Sequence, residues 1–106
     1  MKEWLYILRP LREAMLTEGP TEDELRVLGE HVAHLTRLRD EGTLVLAGRT
    51  QYDDMRTIGL VVLRAPDEEA AQALMESDPP VANGVMSAEL HPYIVAFLGR
   101  PLEEAD

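Results

Sequence analysis

Between residues 21 and 39 the chain reads TEDELRVLGEHVAHLTRLR, and Leu25, Leu28, Val32, Leu35 and Leu38 recur at the spacing of one helix face. Thr21 stands where its hydroxyl can cap the first turn, and Glu24, three residues on, can reach back to the Thr21 N–H. The pattern predicts a helix from this cap to about Arg39 or Glu41, stopped by Gly42, which takes a left-handed cap conformation without strain. A second helix is predicted in DEEAAQALMES, opened by Pro66-Asp67, with Ala70, Ala71, Leu74 and Met75 on one face and Asp78-Pro79-Pro80 ending it.

Four segments carry strand patterns: Trp4 to Arg9 before Pro10, Leu44 to Ala47, Thr57 to Arg64, and Val85 to Leu98, where Pro92 predicts an edge position. The middle two form a hairpin through the polar Gln51-Tyr52-Asp53-Asp54. The order βαββαβ, with right-handed crossovers, predicts one α+β domain over residues 1–106: a ferredoxin-like sandwich with an antiparallel four-stranded sheet and both helices on one face. Trp4, Tyr6 and Leu8 alternate with Leu5 and Ile7, as Ile58, Leu60 and Val62 alternate with Val61 and Leu63, and Ile94, Ala96 and Leu98 with Tyr93, Val95 and Phe97. Both faces of the sheet are therefore apolar, and since helices cover only one, the other is expected to pack on a second copy in a homodimer.

Charge narrows the partners. Ten Lys and Arg against twenty Asp and Glu give a formal charge of −10, which repels a phosphate backbone or an anionic membrane, so no nucleic-acid or membrane partner is expected. Glu22, Asp23 and Glu24 have a local use at a helix start, whereas the tail Leu102 to Asp106 is expected to be solvated. No apolar run approaches the roughly 20 residues that span a bilayer, and no cleavage site follows the short apolar N-terminus, so a cytoplasmic protein is expected. With no cysteine, chemistry falls to histidines, carboxylates and hydroxyls.

Two of the three histidines, in EHVAHL, lie one turn apart. At about 100° per residue His31 projects roughly 60° from the centre of the leucine stripe and His34 roughly 120°. His31 is thus expected at the buried margin and His34 towards solvent. Three readings are open: a metal site with Glu30, an acid/base pair, or histidines at a helix border. The metal reading lacks a third strong ligand and the HExxH order, and tight zinc binding is not expected. Asp78, in ESDPPV, falls at the end of the second helix, where the dipole disfavours a carboxylate, unless it serves as turn chemistry or orients an imidazole on the neighbouring helix. Ser77 and Ser87 lack a glycine elbow, the glycines form no phosphate cradle, and His91, before Pro92, reads as structural.

The pattern H-x-x-H/Y-L-x-x-L, E-G-x-L-x-x-A-G, S/D-E-E-A, D-P-x-V and E-L-x-P-Y/F resembles the YCII-related family of dimeric α+β barrel proteins. The matching residues are Glu30 to Leu35, Glu41 to Gly48, Asp67 to Ala70, Asp78 to Val81 and Glu89 to Tyr93. The resemblance implies that His31, eleven residues before Gly42, and Asp78 form an active-site pair, with His34 where relatives carry another residue. Arg49 follows Gly48 where relatives have proline, either as a cation at the pocket rim that favours an anionic substrate or as a solvent-exposed residue. Arg9-Pro10 and Arg12 resemble an R-P-x-R of some relatives, as anion contacts or as charge balance. The implied protein is a cofactor-free enzyme of proton-transfer type, an isomerase, lyase or dehydrohalogenase on a small organic acid or aromatic, with His31 as general base or acid and Asp78 as its orienter. The alternative is a non-catalytic dimeric ligand-binding or interaction module in which the pair is a structural hydrogen bond.

Overall fold

A computed structural model of the chain describes residues 1–100, and the acidic tail expected to be solvated lies outside the described residues. Strand β1 (Lys2–Pro10) leads through a short helix α1 (Glu13–Thr17) into the long helix α2 (Glu22–Asp40). The hairpin β2 (Leu44–Arg49) and β3 (Gly59–Ala65) follows, then α3 (Glu68–Glu76), a single turn α4 (Pro79–Ala82) and β4 (Met86–Tyr93). The sheet order is β2-β3-β1-β4 with every neighbouring pair antiparallel, which places β1 and β3 at the centre. This is the ferredoxin-like α+β arrangement expected from the sequence.

Local chemistry fixes the element ends. The Thr21 hydroxyl accepts from the Glu24 N–H and the Glu24 carboxylate accepts from the Thr21 N–H, so the predicted capping box starts α2. Gly42, at φ +81°, ends it, a conformation that an L side chain resists. Asp67 caps α3 through the Ala70 N–H.

The inward face of the sheet, Trp4, Tyr6, Leu8, Val61, Leu63 and Ala65, packs against Ala71 and Met75 of α3 and Leu35 of α2, so both long helices cover one side. Leu5, Ile7, Leu60 and Val62 face the other way with Leu46 of β2. This second face is narrower than expected. Ile94, Ala96 and Leu98 do not extend β4, whose pairing with β1 ends at Glu3 opposite Tyr93. The outward residues of β4 itself are the polar Ser87, Glu89 and His91.

Helix α2 is also rotated from the expected stripe. Its buried residues are Glu24, Val27, His34 and Leu38, while Leu25 and Val32 are 57% and 63% exposed. Glu24 can turn inward because Arg12 and Thr21 satisfy its carboxylate, which removes the main cost of burying a polar group, while His34 meets Arg37 through Nδ1 alone.

Candidate active site

Asp78 is fully buried, and both its oxygens are used: His31 Nδ1 lies 2.6 Å from Oδ1 and the Tyr6 hydroxyl donates to Oδ2 at 2.7 Å. The three residues come from α2, the α3–α4 turn and β1, and they meet where the helices cross the central strand. The expected pairing of His31 with Asp78 is therefore present in the geometry.

The position of Asp78 differs from the expected one. Ser77 closes α3, and Asp78 stands at the N-cap of α4, where a carboxylate ordinarily binds free backbone N–H groups. Here prolines occupy the first two positions and have no N–H, and the N–H groups of Val81 and Ala82 bond to the Asp78 carbonyl at 2.9 Å. The carboxylate has no cap to make, and it turns to the histidine and the tyrosine.

Tyr6 was not among the residues singled out by sequence. The available signal was its place on the inward face of β1, since a buried phenol needs a hydrogen-bond partner. Burial above all, then the Asp78 charge and the hydrogen bond to it, push the Tyr6 hydroxyl far above the ordinary tyrosine range, so it remains a donor.

The expected roles of exposure for the two histidines are reversed. The His31 side chain is 19% exposed and lines a cleft, whereas His34 is only 4% exposed. The leucine stripe misplaced the helix axis by counting Leu25 and Val32 as inward. His34 Nδ1 lies 3.0 Å from Arg37 Nη2, and burial lowers its pKa, with Asp78 opposing that shift. Glu30 pairs with Arg26 at 2.8 Å. The three members of the metal reading thus have separate partners, and among the described residues no group of three His, Asp or Glu is placed to hold a metal.

The cleft beside His31 encloses about 660 Å³, a size suited to a small organic molecule. Leu28, Val32, Leu35, Ile58 and Met86 give it apolar walls. Its polar rim comes from the end of β2 and the β2–β3 loop: Gly48, Arg49, Tyr52, Asp53 and Thr57. That loop is closed at its base by Thr50 and Thr57, and Arg56 stacks 4.3 Å over the Tyr52 ring while forking onto Asp54. Gly48 and Arg49 therefore share the cleft with His31.

Arg9 and Arg12 do not reach it. Arg9 lies on the outward face of the sheet paired with Glu89, and Arg12 binds Glu24 at 2.9 Å, tying the end of β1 to the start of α2. That guanidinium first, then the Thr21 N–H, hold Glu24 down at about 2. A hollow of about 750 Å³ at Met1, Trp4, Pro92 and Ile94 lies at the far end of the sheet and contains none of these groups.

With Nδ1 engaged by a carboxylate, the neutral His31 ring carries its proton on Nδ1 and leaves the Nε2 lone pair for a molecule in the cleft. Such a ring can accept a proton at Nε2, and the buried carboxylate stabilises the imidazolium that results.

The family model described as YCII-related domain matches residues 4–92. None of the curated proteins matches this chain. Among solved structures, 5-chloro-2-hydroxyhydroquinone dehydrochlorinase (TftG) from Burkholderia phenoliruptrix AC1100, in complex with 2,5-dihydroxybenzoquinone, aligns with a TM-score of 0.62 at 19% identity, covering 86% of this chain and 93% of its own. SnoaB, a cofactor-independent oxygenase from Streptomyces nogalater, aligns with a TM-score of 0.48 at 11% identity, covering 92% and 97%. Among the described residues no helix is long and apolar enough to cross a membrane.

Proposed function

The chain belongs to the YCII-related family, and from that premise we propose that it is a small cofactor-free enzyme of proton-transfer type. The observation that carries this reading is the buried Asp78 carboxylate 2.6 Å from His31 Nδ1, with the opposite edge of the ring left to the cleft. His31 is the general base, Asp78 holds it, and Tyr6 in turn holds Asp78. Arg49 at the rim attracts the anion of a small acid or phenol, Gly48 keeps the wall low beside it, and the apolar walls receive an aromatic or aliphatic body. Arg9 and Arg12, committed to Glu89 and Glu24, serve the frame.

The reaction class is elimination or isomerisation. In an elimination Nε2 takes a proton from an O–H or C–H of the substrate, and the freed electron pair becomes a double bond. Chloride leaves with the electrons of its own bond, and the imidazolium then returns its proton to water. The dehydrochlorinase named above, which shares the fold, motivates the dehydrohalogenase member of this class. The working unit is a homodimer, because Leu5, Ile7, Leu46 and Leu60 leave an apolar outward sheet face that a second copy can cover.

The test is a screen of chlorinated hydroquinones and small enolisable acids, reading chloride release and hydrogen–deuterium exchange at carbon. The parent protein should turn over at least one, and His31→Ala should lose that activity by about 10²-fold or more. One observation favours the alternative of a non-catalytic binding module: Asp78 is already fully satisfied by internal partners, as in a structural bond. Ligands that bind equally to parent and His31→Ala without turnover would decide for it.

A further inference from the structure

Among the described residues three polar side chains are buried. Glu24 is satisfied by Arg12 and Thr21, and Asp78 by His31 and Tyr6, but His34 keeps one ring nitrogen, Nε2, without any partner. A guanidinium has only N–H donors, so the 3.0 Å contact from Arg37 makes His34 Nδ1 the acceptor and puts the proton of the neutral ring on Nε2. An N–H pole is thus buried unsatisfied, an arrangement that costs stability and calls for a reason. It lies on α2 one turn from His31, and α2 packs on α4, whose first residue follows Asp78.

We propose that His34 is a positioning residue for the dyad, a ring locked in one neutral tautomer by Arg37, whose buried Nε2–H dipole moderates the pull of the Asp78 carboxylate on the His31 Nδ1 proton. In a water-poor surrounding a dipole acts over several ångströms, and each donor pole near a carboxylate lessens the charge directed at its other partners. The Tyr6 hydroxyl does this from β1 by direct contact, and on this proposal the unpartnered His34 N–H, one turn from His31 on α2, has the same effect through space. Burial favours the neutral His34 ring, and Arg37 and His31 add to this while Asp78 and Glu41 oppose it. In the cleft that His31 lines, the other polar and charged side chains are Arg49, Tyr52, Asp53 and Thr57. The inference uses the His31–Asp78 pair of the reading above but not its reaction.

The experiment is nitrogen-15 and proton NMR of the histidine rings in the parent, His34→Leu, His34→Gln and Arg37→Ala. In the parent, His34 should be the Nε2–H tautomer and stay neutral between about pH 5 and 8. His34→Leu should move the His31 Nδ1 proton further downfield, as its bond to Asp78 strengthens. His34→Gln, which keeps a side-chain N–H donor at this position, should restore the parent position. Arg37→Ala, a change at an exposed side chain, should lose the single tautomer.

An Nδ1–H tautomer in the parent, an unchanged tautomer in Arg37→Ala, or one His31 signal common to parent, Leu and Gln variants would each overturn the proposal. If His34→Leu does not fold, Arg37→Ala still decides, because loss of the single His34 tautomer should also move the His31 Nδ1 proton, and an unmoved His31 signal overturns the proposal. None of these spectra needs a substrate, so an inert protein in the turnover screen and an inert His34 are separate failures.

Discussion

Replacing Tyr6 by Phe removes one oxygen and keeps the ring, so its cost isolates a single contact. The hydroxyl donates to Asp78 Oδ2 at 2.7 Å, and neither residue is exposed, so water cannot take its place. A hydrogen bond to a buried charged acceptor contributes about 1.5–3 kcal/mol. With a urea slope of about 1–1.5 kcal/mol/M for a domain of this size, the unfolding midpoint should fall by about 1–3 M at unchanged slope. Urea unfolding followed by circular dichroism, at one fixed protein concentration, measures it. In an Asp78→Asn background the same substitution should cost less than half as much, because the acceptor has lost its charge. A loss under about 0.5 kcal/mol, the range of ordinary surface changes, would refute the idea that the hydroxyl holds a buried carboxylate, and the dyad would lose its third support.

Glu24 gives a pH prediction. Its folded-state pKa is about 2 against an ordinary 4.5, so the stabilisation it brings is complete above 4.5 and is lost as the pH falls from there towards 2, and Glu24→Gln should flatten that part of an acid-unfolding curve. Asp78→Asn should lower turnover of any substrate found by about 10²-fold or more while circular dichroism still reports a folded chain, and equal activity would detach the carboxylate from the chemistry. Sedimentation at micromolar concentration should show a dimer for the parent and a monomer for Ile7→Lys, which places a charge on the central strand of the outward face; a stable parent monomer would leave that face unexplained.

The capping box, the glycine stop after α2 and the alternation of β1 were legible because each is decided within a few residues. Thr21, Glu24, Gly42 and Tyr6 stand where the local rules put them. The orientation of α2 was not legible, because the leucine count treats Glu24 and His34 as outward, and the partners they meet are Arg12 on another segment and Arg37 one turn on. The five-residue α1 is too short for a helical period to show. Pro79-Pro80 reads equally as the end of one helix and the start of the next, and only the pairing of the Val81 and Ala82 N–H groups distinguishes them. His31 and Asp78 were found through family resemblance and spacing. Tyr6 was hidden among the core aromatics, since alternation gives its direction but not its partner.

The separation of these partners along the chain sets when the site can exist. Tyr6 and Asp78 are 72 residues apart and His31 and Asp78 are 47 apart, so both contacts close long loops and their entropy must be met by sheet pairing made at the same time. During synthesis the first strand and the long helix emerge well before the turn that carries Asp78, and a nascent chain up to that point holds a tyrosine and a histidine with nothing between them. Any proton chemistry at His31 is therefore a property of the closed chain alone, arriving with the last third of the polypeptide rather than growing in step with its secondary structure.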